Sequence, residues 1–391
     1  MNLKIAYFTH SKTLYTNSAI RALFRGLINS GYEIYLFSPY GSVKLPQDLD
    51  SIHQFKIPLY LDRLPRRPSL LLALLRDYIN LVKIILFNKI KIAIAQDQGG
   101  IITSGRVYKL LKFQRFIYLS FEIWFNDEIV NKSDNILKRK ELQYCKYISE
   151  VIIQDQERAK LLKIENKLND NVKWHYIPVS PAYENSYDKI EKIPMHNHLK
   201  IPVNKKLIIH SGSVEPWSGV ELIISLLKKK WPSEFWIVIH SFEPFSDNHY
   251  HQELRKLSDR GFPITLIHKK FFDDVEYYKF LKNFDIGFAF YKAQQGLAQG
   301  KNIDVIGLAS GKFSTMMMLG IPTITTANSI YQKLSEQYQY GGIISDDLII
   351  KPAMNTIINN YTSYKTDCRK LYSEVLNPER YVNKFIKALN F

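Results

Sequence analysis

The sequence predicts an α/β protein made of two doubly wound parallel-sheet domains facing a cleft. Three observations carry this. Short β-type runs alternate with helix-type segments through the first half; the alternation fails over a proline-punctuated stretch; and it restarts at residue 206 as a new first strand. The chain's 391 residues exceed the usual size of one domain and suit two of roughly 200 each.

In order, residues 3–8 read as a strand, 17–30 as a helix closed by Gly31, 32–37 and 52–57 as strands, and 69–87 as a helix. Residues 91–96 follow as a strand, 101–112 as a helix, 116–121 as a strand, 138–147 as a helix and 151–154 as a strand. Pro178, Pro181, Pro194 and Pro202 then punctuate a polar stretch, read as an interdomain linker. The second cycle opens with KLIIH at 206–210, the turn SGSVEPWSG and a helix over about 220–229. Further strands read at 235–239, 264–267, 285–290 and 322–325, with helices between them. The expected domains are 1–180 and 205–375, joined by 181–204, with a C-terminal helix over 376–391 that packs back on the first domain.

Composition narrows the function. Hydrophobic residues at 46% and aromatics at 13%, with no low-complexity tract, describe an ordered globular chain. Cys145 and Cys368, the two cysteines, have neither metal-site nor disulfide-framework spacing, and the start MNLKIAYFTHS lacks a signal-peptide pattern, so the expectation is a cytoplasmic protein. The net charge of +16 favours polyanions or phosphorylated ligands. No zinc-finger spacing, basic zipper or aromatic RNA-binding signature accompanies it, so no nucleic-acid partner is expected.

The most informative stretch is SGKFSTMMMLGIP at 310–322, where a small-residue turn carrying Lys312 leads into a helix and then the strand-like TITT. Free amides at a helix start attract anions, and Lys312 adds a full positive charge. The expected guest is a phosphate. Strand-end loops, where sheets of this kind bind ligands, carry His10, Asp97, Glu122, Ser211–Ser213, His240, His268 and the run from Tyr291.

With these residues in order the chain resembles the GT-B glycosyltransferases, which have two Rossmann-like domains and move a sugar from a nucleotide-sugar donor to an acceptor. SGKFSTMMMLGIPTITT is similar to the family's Lys-hydrophobic-Phe-Glu-Tyr-Met-Ala-x-Gly-x-Pro-Val element, with Lys312, Gly320 and Pro322 in register. HSGSVEPWSGVELII resembles the loop and helix that open the donor domain. The run ELQYCKYISEVIIQDQERAKLL with WHYIPVSP resembles the close of the acceptor domain.

The resemblance implies a metal-independent transferase with no cofactor beyond its nucleotide-sugar substrate. Gly212 and Ser213 would let backbone approach the diphosphate, and Ser310, Gly311 and Lys312 would supply donors and charge. His268 follows a strand and is a further donor-side candidate. Two glutamates usual in retaining members are replaced by Gly307 and Thr315, and a usual lysine by Ser218. Thr315 offers a hydroxyl to the ribose, and Asp304 stands near enough in sequence to compensate.

An inverting reaction needs a general base on the first-domain side, with Asp97, Glu122 and His10 as candidates; a retaining one makes them binding residues. His240 has no metal-ligand spacing, and Trp217 reads as a packing residue. The segment 66–91 combines Arg66, Arg67, Arg76, Lys83, Lys89 and Lys91 with many leucines and isoleucines, a pattern for peripheral contact with an anionic membrane as well as for a core helix with a basic edge. The acceptor is expected to be a glycan or lipid-linked saccharide. A nucleotide-sugar epimerase of the same fold, or a non-catalytic sugar-nucleotide-binding partner, are the alternatives.

Overall fold

The computed structural model describes residues 3–12, 14–41, 45–57, 68–189, 191–271, 273–344 and 349–389. The chain divides into two units: Met1–Val179 with Gly296–Ala298 and Pro378–Phe391, and Ser180–Gln295 with Gln299–Asn377.

In the first unit β1 (Lys4–Phe8), β2 (Glu33–Ser38), β3 (His53–Lys56), β4 (Ile92–Gln96), β5 (Arg115–Leu119), β6 (Glu150–Ile153) and β7 (Lys173–Tyr176) form one parallel sheet, ordered β3-β2-β1-β4-β5-β6-β7. Helices α1 (Ser18–Asn29), α2 (Pro68–Phe87), α3 (Asp97–Leu111), α4 (Lys132–Cys145) and α5 (Gln156–Glu165) connect them. Ile5, Ala6, Tyr7 and Phe8 of β1 are all buried, as a central parallel strand covered on both faces requires. Chain order reverses between β1 and β4, which pair in register from Ile5 with Ile92 to Phe8 with Ala95. That switch point gathers the loops after both strands.

Two polar clusters fix this unit. Lys138 and Glu141 of α4 are almost wholly buried. The Lys138 ammonium donates to Asn166 at 2.6 Å, and Glu141 accepts from Asn166 and the Tyr118 hydroxyl, each at 2.7 Å. Glu150 takes a two-pronged bond from Arg115 at 2.6 and 2.7 Å and faces His175 at 2.8 Å. Desolvation would raise the Glu150 carboxyl, but the His175 and Arg115 contacts outweigh it and hold it at about 2. Arg115 also donates to the Ala388 carbonyl at 2.6 Å, tying down the C-terminal helix Pro378–Leu389, whose Phe385 ring lies 4.9 Å from His175.

The second unit repeats the plan with β8 (Lys206–Ser211), β9 (Phe235–Ser241), β10 (Ile264–His268), β11 (Ile286–Ala289), β12 (Thr323–Thr326) and β13 (Gly341–Ile344). These are parallel in the order β10-β9-β8-β11-β12-β13, so the switch point lies between β8 and β11. Its helices are α6 (Met195–Leu199), α7 (Val220–Lys230), α8 (His249–Asp259), α9 (Asp274–Leu281), α10 (Lys301–Asp304), α11 (Gly311–Leu319), α12 (Ser329–Ser335), α13 (Lys351–Asn359) and α14 (Tyr361–Leu371); Pro378–Leu389 is α15. The stretch expected as a linker packs into this unit, with Tyr187, Met195 and Ile201 in the same core as Leu281 and Phe284. Those anchors are spaced too irregularly to show a period.

The helix expected over 101–112 begins at Asp97 instead. Gly99 and Gly100, which read as a loop, allow close packing: a Cβ at Gly99 would lie 2.5 Å from the His10 ring, and one at Gly100 2.5 Å from the Phe8 carbonyl oxygen. β7, α5 and β13 escaped the sequence reading altogether. β7 (KWHY) is a half-exposed edge strand and β13 (GGII) is glycine-rich, so neither gives an apolar run.

Candidate functional site

In the second unit Gly212, Ser310, Gly311 and Lys312 come together at the β8/β11 switch point. Ser310 caps α11, its side chain accepting from the Phe313 amide at 3.1 Å. Its hydroxyl also bonds the hydroxyl of Tyr291, just beyond β11. Lys312, second residue of α11, carries its ammonium 5.6 Å from the centre of the Tyr291 ring. The Lys312 Nζ is buried and has no hydrogen-bond partner among the described residues. Burial pulls this group down to about 7. A buried cation beside helix-start amides is electrostatically unfavourable unless an anion joins it.

Gly212 follows β8 with φ +124, a conformation that favours glycine, and a Cβ there would lie 3.5 Å from Lys312 Cε. The loop and the lysine stem are therefore neighbours. The Gly212 amide donates to the His240 carbonyl at 3.0 Å. His240 itself is fully bonded: Nε2 donates to the Lys269 carbonyl at 2.8 Å, so Nδ1 accepts from Ser211, 2.7 Å away, whose oxygen stands 2.9 Å from the Tyr277 hydroxyl. This buried chain anchors the root of the loop.

Thr315 lies three residues beyond Lys312 on the same face of α11 and is 9% exposed. Ser213 and Gly311 keep accessible surface. His268 is exposed and ends the edge strand β10, two strands from β8. Asp304 is an exposed residue closing α10, and Gly307 is buried with its carbonyl facing the Tyr331 hydroxyl at 3.4 Å. Ser218 is buried in a capping box, donating to the Glu215 carbonyl at 2.7 Å and accepting from its amide at 3.1 Å. Trp217 is half-buried, its carbonyl taking the Lys292 amide at 3.0 Å.

The first unit has its own convergence at β1/β4. Asp97 follows β4 directly with φ +51, left-handed backbone that a short polar side chain tolerates. Its Oδ1 accepts from the amides of Phe121 at 2.7 Å and Glu122 at 3.2 Å, and its Oδ2 from Gln96 at 3.1 Å. Gln96 is held in turn by the hydroxyls of Tyr7 at 3.0 Å and Thr9 at 2.8 Å. Desolvation pushes Asp97 up to about 6 against these bonds. Glu122 is drawn up to about 7 by desolvation, opposed by Arg158, although its surface stays exposed and solvent screens part of the effect.

His10 lies after β1, its Nε2 3.0 Å from Thr103. Thr103 donates its own hydroxyl proton to the Gly99 carbonyl at 3.0 Å, so His10 Nε2 must be the donor and Nδ1 keeps its lone pair. Burial holds this imidazole down at about 4, neutral at physiological pH. The sequence reading missed Arg158, buried and donating to the Phe121 carbonyl at 2.5 Å; an arginine inside a helix start gives no sequence signal of its own. It likewise missed His210 and gave Tyr291 no specific role.

No protein-family model and no curated protein matches the sequence. Solved structures do match across nearly the whole chain. HepE from Anabaena in complex with UDP-glucose is 11% identical, with a TM-score of 0.70 over 99% of both chains. A glycosyltransferase from Rickettsia africae is 12% identical, with a TM-score of 0.71 over 99% of this chain and 97% of that one. A structure described as that of a UDP-N-acetylglucosamine 2-epimerase from Listeria monocytogenes is 13% identical, with a TM-score of 0.55 over 100% of this chain and 96% of that one. No helix among the described residues is long and apolar enough to cross a membrane. At this identity the likeness speaks for architecture: two all-parallel α/β units, each with its polar residues at a switch point, give this chain the GT-B fold.

Proposed function

We propose that this chain is a glycosyltransferase of hexosyltransferase type that takes a sugar from a nucleoside diphosphate and passes it to a glycan or lipid-linked saccharide. The observation that carries this is the Lys312 ammonium, buried at a helix start beside Gly212 with no partner among the described residues. A diphosphate supplies the missing anion. In this reading the second unit holds the donor: Gly212 and Ser213 lie along the diphosphate, Ser310 and Gly311 present the helix start, and Thr315 meets the ribose. Charge building on the departing diphosphate is neutralised by Lys312 and the amides, a contribution worth about 3 kcal/mol per good donor. No metal or cofactor is required by this scheme.

The first unit takes the acceptor. For inversion, Asp97 and His10 are the bases nearest in character to the task, since both are unprotonated at neutral pH and held in place by bonds; Glu122 joins them as a sugar-hydroxyl ligand. The transferase reading is preferred to an epimerase because the UDP-glucose-bound HepE matches at 0.70 and the epimerase at 0.55. A non-catalytic binder would retain the donor site without turnover. A thermal-shift panel of nucleoside diphosphates and nucleotide sugars tests the reading; a ligand at 100 times its Kd stabilises by about 2.7 kcal/mol. Should no nucleotide shift the melting point, the reading fails.

Cell-surface polysaccharide or glycoconjugate synthesis at the cytoplasmic face of a membrane is the setting we propose. Leu72, Leu75, Ile79, Leu86 and Phe87 of α2 are each at least half exposed, and the first four recur at helical spacing beside Arg76 and Lys83. Arg66 and Arg67, also part of the expected basic face, lie outside the described residues. Flotation with anionic liposomes at low salt is expected for the wild-type protein, and its failure removes the membrane from the scheme.

A further inference from the structure

His210 closes the apolar part of β8, two residues before Gly212, and is completely buried. Its Nε2 lies 3.4 Å from the Ser213 carbonyl oxygen. A carbonyl can only accept, so Nε2 carries the proton and Nδ1 is a lone pair. That Nδ1 is buried and has no hydrogen-bond partner among the described residues. The Lys312 ammonium is in the complementary condition, three donors and no partner among the described residues. The two groups sense each other: burial first, and then the Lys312 charge, holds the His210 imidazole well below its ordinary value. The lysine stem runs past Gly212, in the loop that His210 leads into.

Anion chemistry decides how these two orphans are satisfied. Phosphate oxygens accept and do not donate, so a bound diphosphate pairs with the ammonium but offers nothing to Nδ1. An ammonium has one N–H more than two phosphate oxygens need. We propose that His210 is the positioning residue for Lys312: its Nδ1 accepts one ammonium N–H in the anion-bound protein, aiming the other two at the phosphates. This rests on reading the site as a diphosphate site. A flexible four-carbon side chain is thereby given one direction, lowering the entropy cost of forming the contact.

The imidazole's two edges can be tested apart, because an asparagine amide overlays the Nδ1 edge and a glutamine amide the Nε2 edge. His210→Asn, His210→Gln and His210→Leu are titrated calorimetrically with UDP, GDP and ADP, alongside wild type. The expected result for the tightest of the three is binding within threefold of wild type for His210→Asn and at least tenfold weaker for His210→Gln and His210→Leu. In a Lys312→Ala background, His210→Leu is expected to change affinity less than twofold. Should His210→Leu not fold, the Asn and Gln variants alone decide. Retention by Gln with loss by Asn assigns His210 to holding the Ser213 loop and overturns the proposal, as does wild-type binding that all variants retain. Absence of binding by wild type to all three nucleotides overturns the diphosphate reading, and this proposal with it.

Discussion

The two switch points of this molecule are built alike and finished differently. At β1/β4 the Asp97 carboxylate accepts three bonds, and the Gln96 that donates one of them is itself held by two hydroxyls. At β8/β11 the Lys312 Nζ and the His210 Nδ1 are buried atoms that meet no hydrogen-bond partner among the described residues. A well-paired network such as that of Asp97 and Gln96 fixes geometry, while unpaired buried groups store free energy that a ligand can release. The comparison teaches which residues shape a site and which wait for something to bind.

Breaking the unsaturated side has the largest expected effect. Lys312→Ala should lower sugar transfer at least ~100-fold, the usual cost of one lost transition-state donor, measured as kcat/KM. The free protein should not suffer. Lys312 has a folded value near 7, below its unfolded 10.5, so the stability cost of its burial builds up as pH falls from about 10.5 to about 7 and is fully present below that. Lys312→Met is therefore expected to stabilise the unliganded protein by about 2 kcal/mol at pH 6, read from urea unfolding, while weakening nucleotide-induced stabilisation. A Lys312→Met protein less stable than wild type at pH 6 would mean that the ammonium is already satisfied.

Breaking the Asp97–Gln96 network should do the reverse. Asp97→Ala removes the acceptor for two amides and the Gln96 side chain, and is expected to destabilise the protein by about 2 to 4 kcal/mol in the same unfolding assay.

How far the sequence reveals this contrast depends on the residue. Lys312 was legible because a lysine at a helix start is locally conspicuous, and Gly212 because a turn glycine follows an apolar strand. Asp97 was placed at a strand end correctly, yet its helix was started four residues late because Gly99 and Gly100 resemble a loop and serve close packing instead. His210 was invisible: a histidine inside a strand gives no sign of which ring nitrogen lacks a partner. The start of α4 was hidden too, since its buried face carries Lys138 and Glu141, which pair inside the core and break the apolar period. Such pairing is settled by tertiary contacts that no local pattern records.

Two smaller tests sharpen the comparison. Asp97 has its folded value raised to about 6 from 3.8, so its contribution to stability is fully present below pH 3.8 and is lost as pH rises through 6. The stability gap between wild type and Asp97→Asn is accordingly expected to move in favour of wild type between pH 7 and pH 5. A gap independent of pH would place Asp97 in an ordinary solvated setting. Smallest of all, Asp304→Ala should change both stability and nucleotide affinity by less than about 0.5 kcal/mol, because Asp304 is exposed at the end of α10. A larger loss would bring that carboxylate into the donor site after all.

The central claim is that Lys312 waits for a diphosphate. Calorimetric titration of UDP, GDP and ADP at pH 7, repeated in buffers of different ionisation enthalpy, reads it directly. Wild type is expected to bind at least one of them more tightly than Lys312→Ala does, and to take up more protons on doing so, as the ammonium is drawn to full charge. Equal affinity and equal proton uptake in the two proteins would contradict the account.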